Sequence, residues 1–121
     1  MANDKNILAE NMRRFGTKNL NEQTINSIEL EKILLINFLK FKFPTNQNKI
    51  AVWMRNYNSI DDAFYYMGLD PIFKKMYPES QLIWEDYKDW LQQNGFQPGD
   101  IYVDNDSAAR IQQQILAKGF K

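Results

Sequence analysis

The sequence predicts an all-α protein, a compact bundle of about five to six helices. Three observations predict it. Apolar residues recur at three- and four-residue spacing along most of the chain. Most of the segments that carry this spacing begin behind Asp, Asn, Ser or Thr and end at Gly or Pro. The connections between them are short, as they are in bundles.

The first segment runs from Asp4 to Phe15. The Asp4 side chain can accept from the first exposed N–H groups. Leu8, Met12 and Phe15 fall on one face, with Ile7 beside them. Gly16 stops the helix because it tolerates the left-handed conformation beyond a helix end. Thr17, Lys18 and Asn19 form a polar, basic linker. Residues 1–20 therefore read as a separable amphipathic unit, and residues 21–121 as the helical domain.

A second helix is expected from about Asn26, with Glu29 as its capping-box partner. Leu30, Ile33, Leu34 and Phe38 make its stripe. Leu35 and Ile36 add a second apolar side, which predicts a central position. Its end has two readings. Leu39–Phe43 alternates with a period of two, a strand pattern, and Pro44 ends it either way. Thr45 can cap a third helix carrying Ile50, Trp53, Met54 and Tyr57. Ser59 with Asp62 opens a short helix to Met67, which Gly68 closes. Asp70 and Pro71 supply a cap and a first-position proline for residues 71–77. Pro78 breaks that helix and opens the next, which runs to about Asn94 with Ile83, Tyr87, Trp90 and Leu91 as its buried stripe. Gln97–Asp100 is a turn. Ile101–Val103 is β-prone and can pair with residues 39–43 as a minor two-stranded ribbon. Asp106 or Ser107 caps a last helix with Ala108, Ile111, Ile115 and Leu116 inward, stopped by Gly119.

The 121 residues make one domain, and an apolar fraction of 44% is enough for one real core. No run approaches the ~20 apolar residues of a membrane span, and the polar start does not read as a secretory signal. The chain has no Cys and no His. That excludes disulfides, Cys/His zinc sites, and Cys-His or Ser-His-Asp nucleophiles. Net charge is 0 but unevenly spread: +2 over residues 1–43, +1 over 44–77 and −3 over 78–121. A mixed solvated surface is the simplest reading of this. Pairing of a basic front with an acidic back, within the fold or head-to-tail between copies, is the other.

Several constellations could carry function. Arg13, Arg14 and Lys18 flank Phe15 and can hold oxyanions, or simply complement the end of the first helix. Lys40, Phe41, Lys42 and Phe43 interleave cations and aromatics, as single-strand binders do, but half-buried packing explains them as well. Tyr65 and Tyr66 are helical neighbours about 100° apart, so they cannot both face one core. At least one belongs to a surface, where Tyr is enriched in interfaces. Asp100, Asp104 and Asp106 with Asn105 are oxygen-rich but lack the EF-hand spacing, so turn and cap duty is expected. Glu10, Asp61, Asp62, Glu85, Asp86 and Asp89 would need a facing pair in a cleft to work as a hydrolase. No Gly-rich phosphate loop is present. No enzyme activity, metal or cofactor is expected.

Residues 7–20, ILAENMRRFGTKNL, resemble a short N-terminal segment of small, mostly uncharacterised proteins of tailed bacteriophages of the marine, T4-like type. The resemblance covers this segment alone. It implies a bacteriophage context, and a tag by which different proteins reach a common particle. The frequent Asn, Ile, Lys, Phe and Tyr, whose codons are AT-rich, are compatible with such a source. The leading expectation is a non-enzymatic viral accessory or structural protein acting through protein–protein interaction. Its place would be the host cytoplasm or the virion. Ile7, Leu8, Met12 and Phe15 would enter an apolar groove on the partner, with Arg13, Arg14 and Lys18 at the rim. Tyr65 and Tyr66 would offer a second, aromatic surface. The alternative is a nucleic-acid-binding accessory protein that uses the basic first half. A carboxylate hydrolase stands third.

Overall fold

The structure, a computed structural model, describes residues 26–121. They form six α-helices: α1 (Ser27–Lys42), α2 (Gln47–Trp53), α3 (Ile60–Met67), α4 (Pro71–Met76), α5 (Ser80–Gln93) and α6 (Asn105–Lys118). A 3-10 turn, Pro98–Ile101, joins α5 to α6. The protein is an all-α bundle. Among the described residues no helix is long and apolar enough to cross a membrane.

Helix α1 is the axis of the bundle. Leu30, Leu34, Leu35, Phe38 and Leu39 are fully buried, because its apolar residues run round more than one side. It packs against α6 and α2. One aromatic cluster, Phe43, Trp53, Phe73 and Tyr77, joins the end of α1 to α2 and α4. A second, Phe38, Tyr87, Trp90 and Phe120, joins it to α5 and the C-terminal residues. Ile83, Tyr87, Trp90 and Leu91 are the buried stripe of α5, as their spacing predicts.

Local signals set most of the helix starts. The Asn26 side chain accepts from Glu29 N at 2.9 Å, Ser59 Oγ from Asp62 N at 3.2 Å, and Asp70 from Ile72 N at 2.9 Å. Gly119 ends α6 with φ +76°, the left-handed conformation that favours glycine.

Five expectations need correction. The two-stranded ribbon does not form. Residues 39–42 complete α1, and Phe43 N–H donates to Leu39 O at 2.7 Å. Its intended partner is partly 3-10, and Val103 N–H donates to the Glu31 carboxylate at 3.0 Å rather than to a strand. Ile101 and Val103 are still buried with Tyr102 exposed, so the alternation is real and serves packing alone. The cap position of α2 is Asn46, not Thr45, and no side chain caps it. Helix α2 ends at Trp53, so Tyr57 lies on a connection. Asp104 caps α6 ahead of Asp106 and Ser107: it accepts from Ser107 N at 2.9 Å while Ser107 Oγ accepts from Asp104 N–H. Leu116 is exposed, because it lies about 100° round the helix from buried Ile115.

Candidate functional site

Helix α2 has two turns and stops at Met54. The chain then crosses to α3 through residues 54–59, and α3 ends against Leu69 and Asp70. Two short helices joined in this way leave a groove between them. Its volume is about 440 Å³. Val52, Trp53, Ala63, Tyr66 and Leu69 give it an apolar lining, and Asn56, Asn58 and Asp70 place amides and a carboxylate along it.

The lining is built on a fixed base. Asp70 accepts from the Trp53 indole N–H at 3.1 Å and from Lys49 Nζ at 3.2 Å, besides capping α4. One carboxylate thus ties α2 to α4 underneath the groove. Burial works to raise the Asp70 carboxyl, but the hydrogen bonds from Ile72, Trp53 and Lys49, with the Lys49 charge, hold it below the ordinary value. Tyr57 donates its phenol O–H to Glu31, which is buried on α1. Burial first, and the Glu31 carboxylate second, push the Tyr57 phenol far above its ordinary value. It is a fixed donor at neutral pH.

The rim is different. Val52, Tyr66 and Leu69 are 51%, 58% and 64% exposed, and Tyr65 beside them 67%. The Tyr65 and Tyr66 rings meet edge to face with centroids 5.6 Å apart. Both tyrosines therefore belong to the surface. An apolar lining, an aromatic rim and amide groups suit the side chains and backbone of a protein segment.

The other sequence candidates are dispersed. Ile7, Leu8, Glu10, Met12, Arg13, Arg14, Phe15 and Lys18 lie outside the described residues. Lys42 is ion-paired with Asp86 at 2.9 Å and Phe43 is in the core, which leaves Lys40 and Phe41 of that run at the surface. Asp86 also accepts from Tyr77 O–H, and Asp61 from Tyr102 O–H at 3.0 Å. Asp100 binds Arg110 through two hydrogen bonds, of 2.8 and 3.0 Å, and accepts from Gln97 N–H. Among the described residues no group of three or more His, Cys, Asp or Glu side chains is placed to hold a metal ion.

Sequence reasoning missed Val52, Leu69 and Asp70 as parts of one surface. The available signal was Leu69, a large apolar residue between a closing glycine and a helix cap, on neither helix's buried stripe. Compared with known proteins, the chain matches no family model, no curated protein and no solved structure.

Proposed function

We propose that this is a non-enzymatic, phage-type accessory or structural protein that acts through protein–protein binding. Residues 4–20 serve to dock it to a larger assembly, a virion or its precursor. The helical body supplies a second contact at the α2–α3 groove. The observation that carries the reading is the rim of Val52, Tyr66 and Leu69, with Tyr65 beside it, apolar and aromatic side chains held in solvent on a base fixed by Asp70. Exposed aromatics over a preformed groove are where binding energy concentrates in interfaces.

The test is affinity capture from native lysate with full-length protein, a version lacking residues 1–20, and a Tyr66→Asp/Leu69→Asp variant. Loss of the same structural partners on truncation, with capture weakened by the groove variant at unchanged melting temperature, is the expected result. Capture of no discrete partner by the full chain would sink the reading.

A further inference from the structure

The described chain begins five residues before Glu31, the acceptor of a groove residue. Glu31, in the second turn of α1, accepts from Tyr57, and Tyr57 lines the groove. Asn26 precedes Glu31 by five residues, about 7.5 Å along a helix axis. The chain therefore enters the domain within about one and a half helical turns of that contact. Residues 16–26 can span at most about 36–40 Å when extended, and about 18 Å as a random coil. That length of chain is enough to bring residues 4–15 to the groove.

The sequence of that segment suits the seat. Leu8, Met12 and Phe15 fall on one face at helical spacing, with Ile7 beside them, the stripe that apolar grooves accept. Asp61 and Asp62 stand in the first turn of α3. Asp62 precedes Tyr66 by four residues, so it shares the helix face that forms the groove rim. Asp70 lines the groove and Asp62 shares its rim face, against Lys49, which Asp70 already holds, a net negative balance. Residues 4–18 carry Lys5, Arg13, Arg14 and Lys18 against Asp4 and Glu10, a net positive one.

We propose that the α2–α3 groove is the seat of this chain's own residues 4–15, held in cis until a partner displaces them. The inference rests on the reading of residues 4–20 as a docking segment, and adds that the segment is masked by its own domain. A second copy would have to compete with an effective concentration in the millimolar range, set by the short tether. The cis occupant therefore prevails at ordinary protein concentrations.

Because the chain has no cysteine, full-length Met12→Cys/Leu69→Cys gives one unambiguous disulfide. Leu69 is exposed, so the change spares the core. Met12→Cys/Leu116→Cys is the control. Leu116 is also exposed and lies about 18 Å along α6 from Asp104. Under mild oxidation the first pair should close within the monomer roughly tenfold faster than the control, as expected for a seated rather than a roaming segment. Equal rates for the two pairs would overturn the proposal, and so would disulfide-linked dimers as the main product. If the pair fails to close while truncation of residues 1–20 still abolishes capture, the seat falls and the docking reading stands. If the pair closes while truncation leaves capture unchanged, the seat stands and the docking reading falls.

Discussion

Tyr87 is fully buried, and its phenol oxygen has no hydrogen-bond partner among the described residues. An unpaired buried hydroxyl carries its desolvation penalty without return. Tyr87→Phe keeps the ring contacts with Phe38, Phe64 and Trp90 and removes that penalty. It is expected to raise stability by about 1 kcal/mol in chemical denaturation; a loss of similar size would show a partner for that oxygen. Glu31 is the opposite case. Its carboxylate takes the Tyr57 O–H and the Val103 N–H, so it joins α1 to the α2–α3 connection and to the start of α6. Glu31→Ala leaves both donors without their acceptor and should cost about 2–4 kcal/mol. A cost below half a kcal/mol would mean water satisfies both. Residue identities were readable here, but their partners were not. Glu31 and Val103 are 72 positions apart, and no spacing rule connects them.

At the scale of elements, capping was the most legible feature. A cap bonds within two or three residues, so Asn26, Ser59 and Asp70 could be named before any tertiary contact was known. Ser59→Ala removes one such bond and should destabilise by about 1 kcal/mol. Asp70→Ala should cost clearly more, because it also releases the Trp53 indole and Lys49. Equal costs for the two variants in parallel urea titrations would refute the tie between α2 and α4. Cap assignment failed at α2, where Asn46 and not Thr45 holds the cap position, and at α6, where Asp104 precedes the expected Asp106 or Ser107. Asp104 wins over Asp106 because Val103 immediately before it is buried and already fixed by Glu31. The groove arises at this same scale. Its lining comes from the ends of two short helices and the connection between them, and none of these elements alone has a concave face.

For the whole molecule, pH should reveal how the core is held. The Tyr77 phenol is raised beyond the ordinary range by burial and then by the Asp86 carboxylate, and burial does the same to Tyr87. With Tyr57, three phenols stay protonated in the folded chain above the ordinary value of 10.0. Above pH 10 the unfolded chain sheds those protons and the folded chain keeps them, so stability falls as pH rises from there and is fully present below it. On the acid side, burial works to raise the Asp100 carboxyl, but the paired hydrogen bonds from Arg110 prevail and hold it below 3.8, where Asp70 is also held. That stability is present above 3.8 and is lost as pH falls through the lower folded values. No histidine titrates between these limits. Melting temperature against pH should therefore show a plateau with a steep alkaline edge. A gentle alkaline slope, or one centred near neutrality, would contradict this picture.

By itself the sequence determined the helical class, the start of α1, the extents of α3, α4 and α5 to within a residue or two, the central place of α1 and the buried stripe of α5. These follow from periodicity and caps, which act over four residues or fewer, where the chain is its own template. Only the tertiary structure decided that residues 39–42 would be helix rather than ribbon, and that Val52, Tyr66, Leu69 and Asp70 would frame one groove. Each of those outcomes depends on which distant group supplies a partner: Glu31 for Val103, Asp86 for Lys42, Trp53 for Asp70. Long-range pairing is settled by which polar groups must be satisfied once the apolar faces have closed, and local spacing carries no record of it.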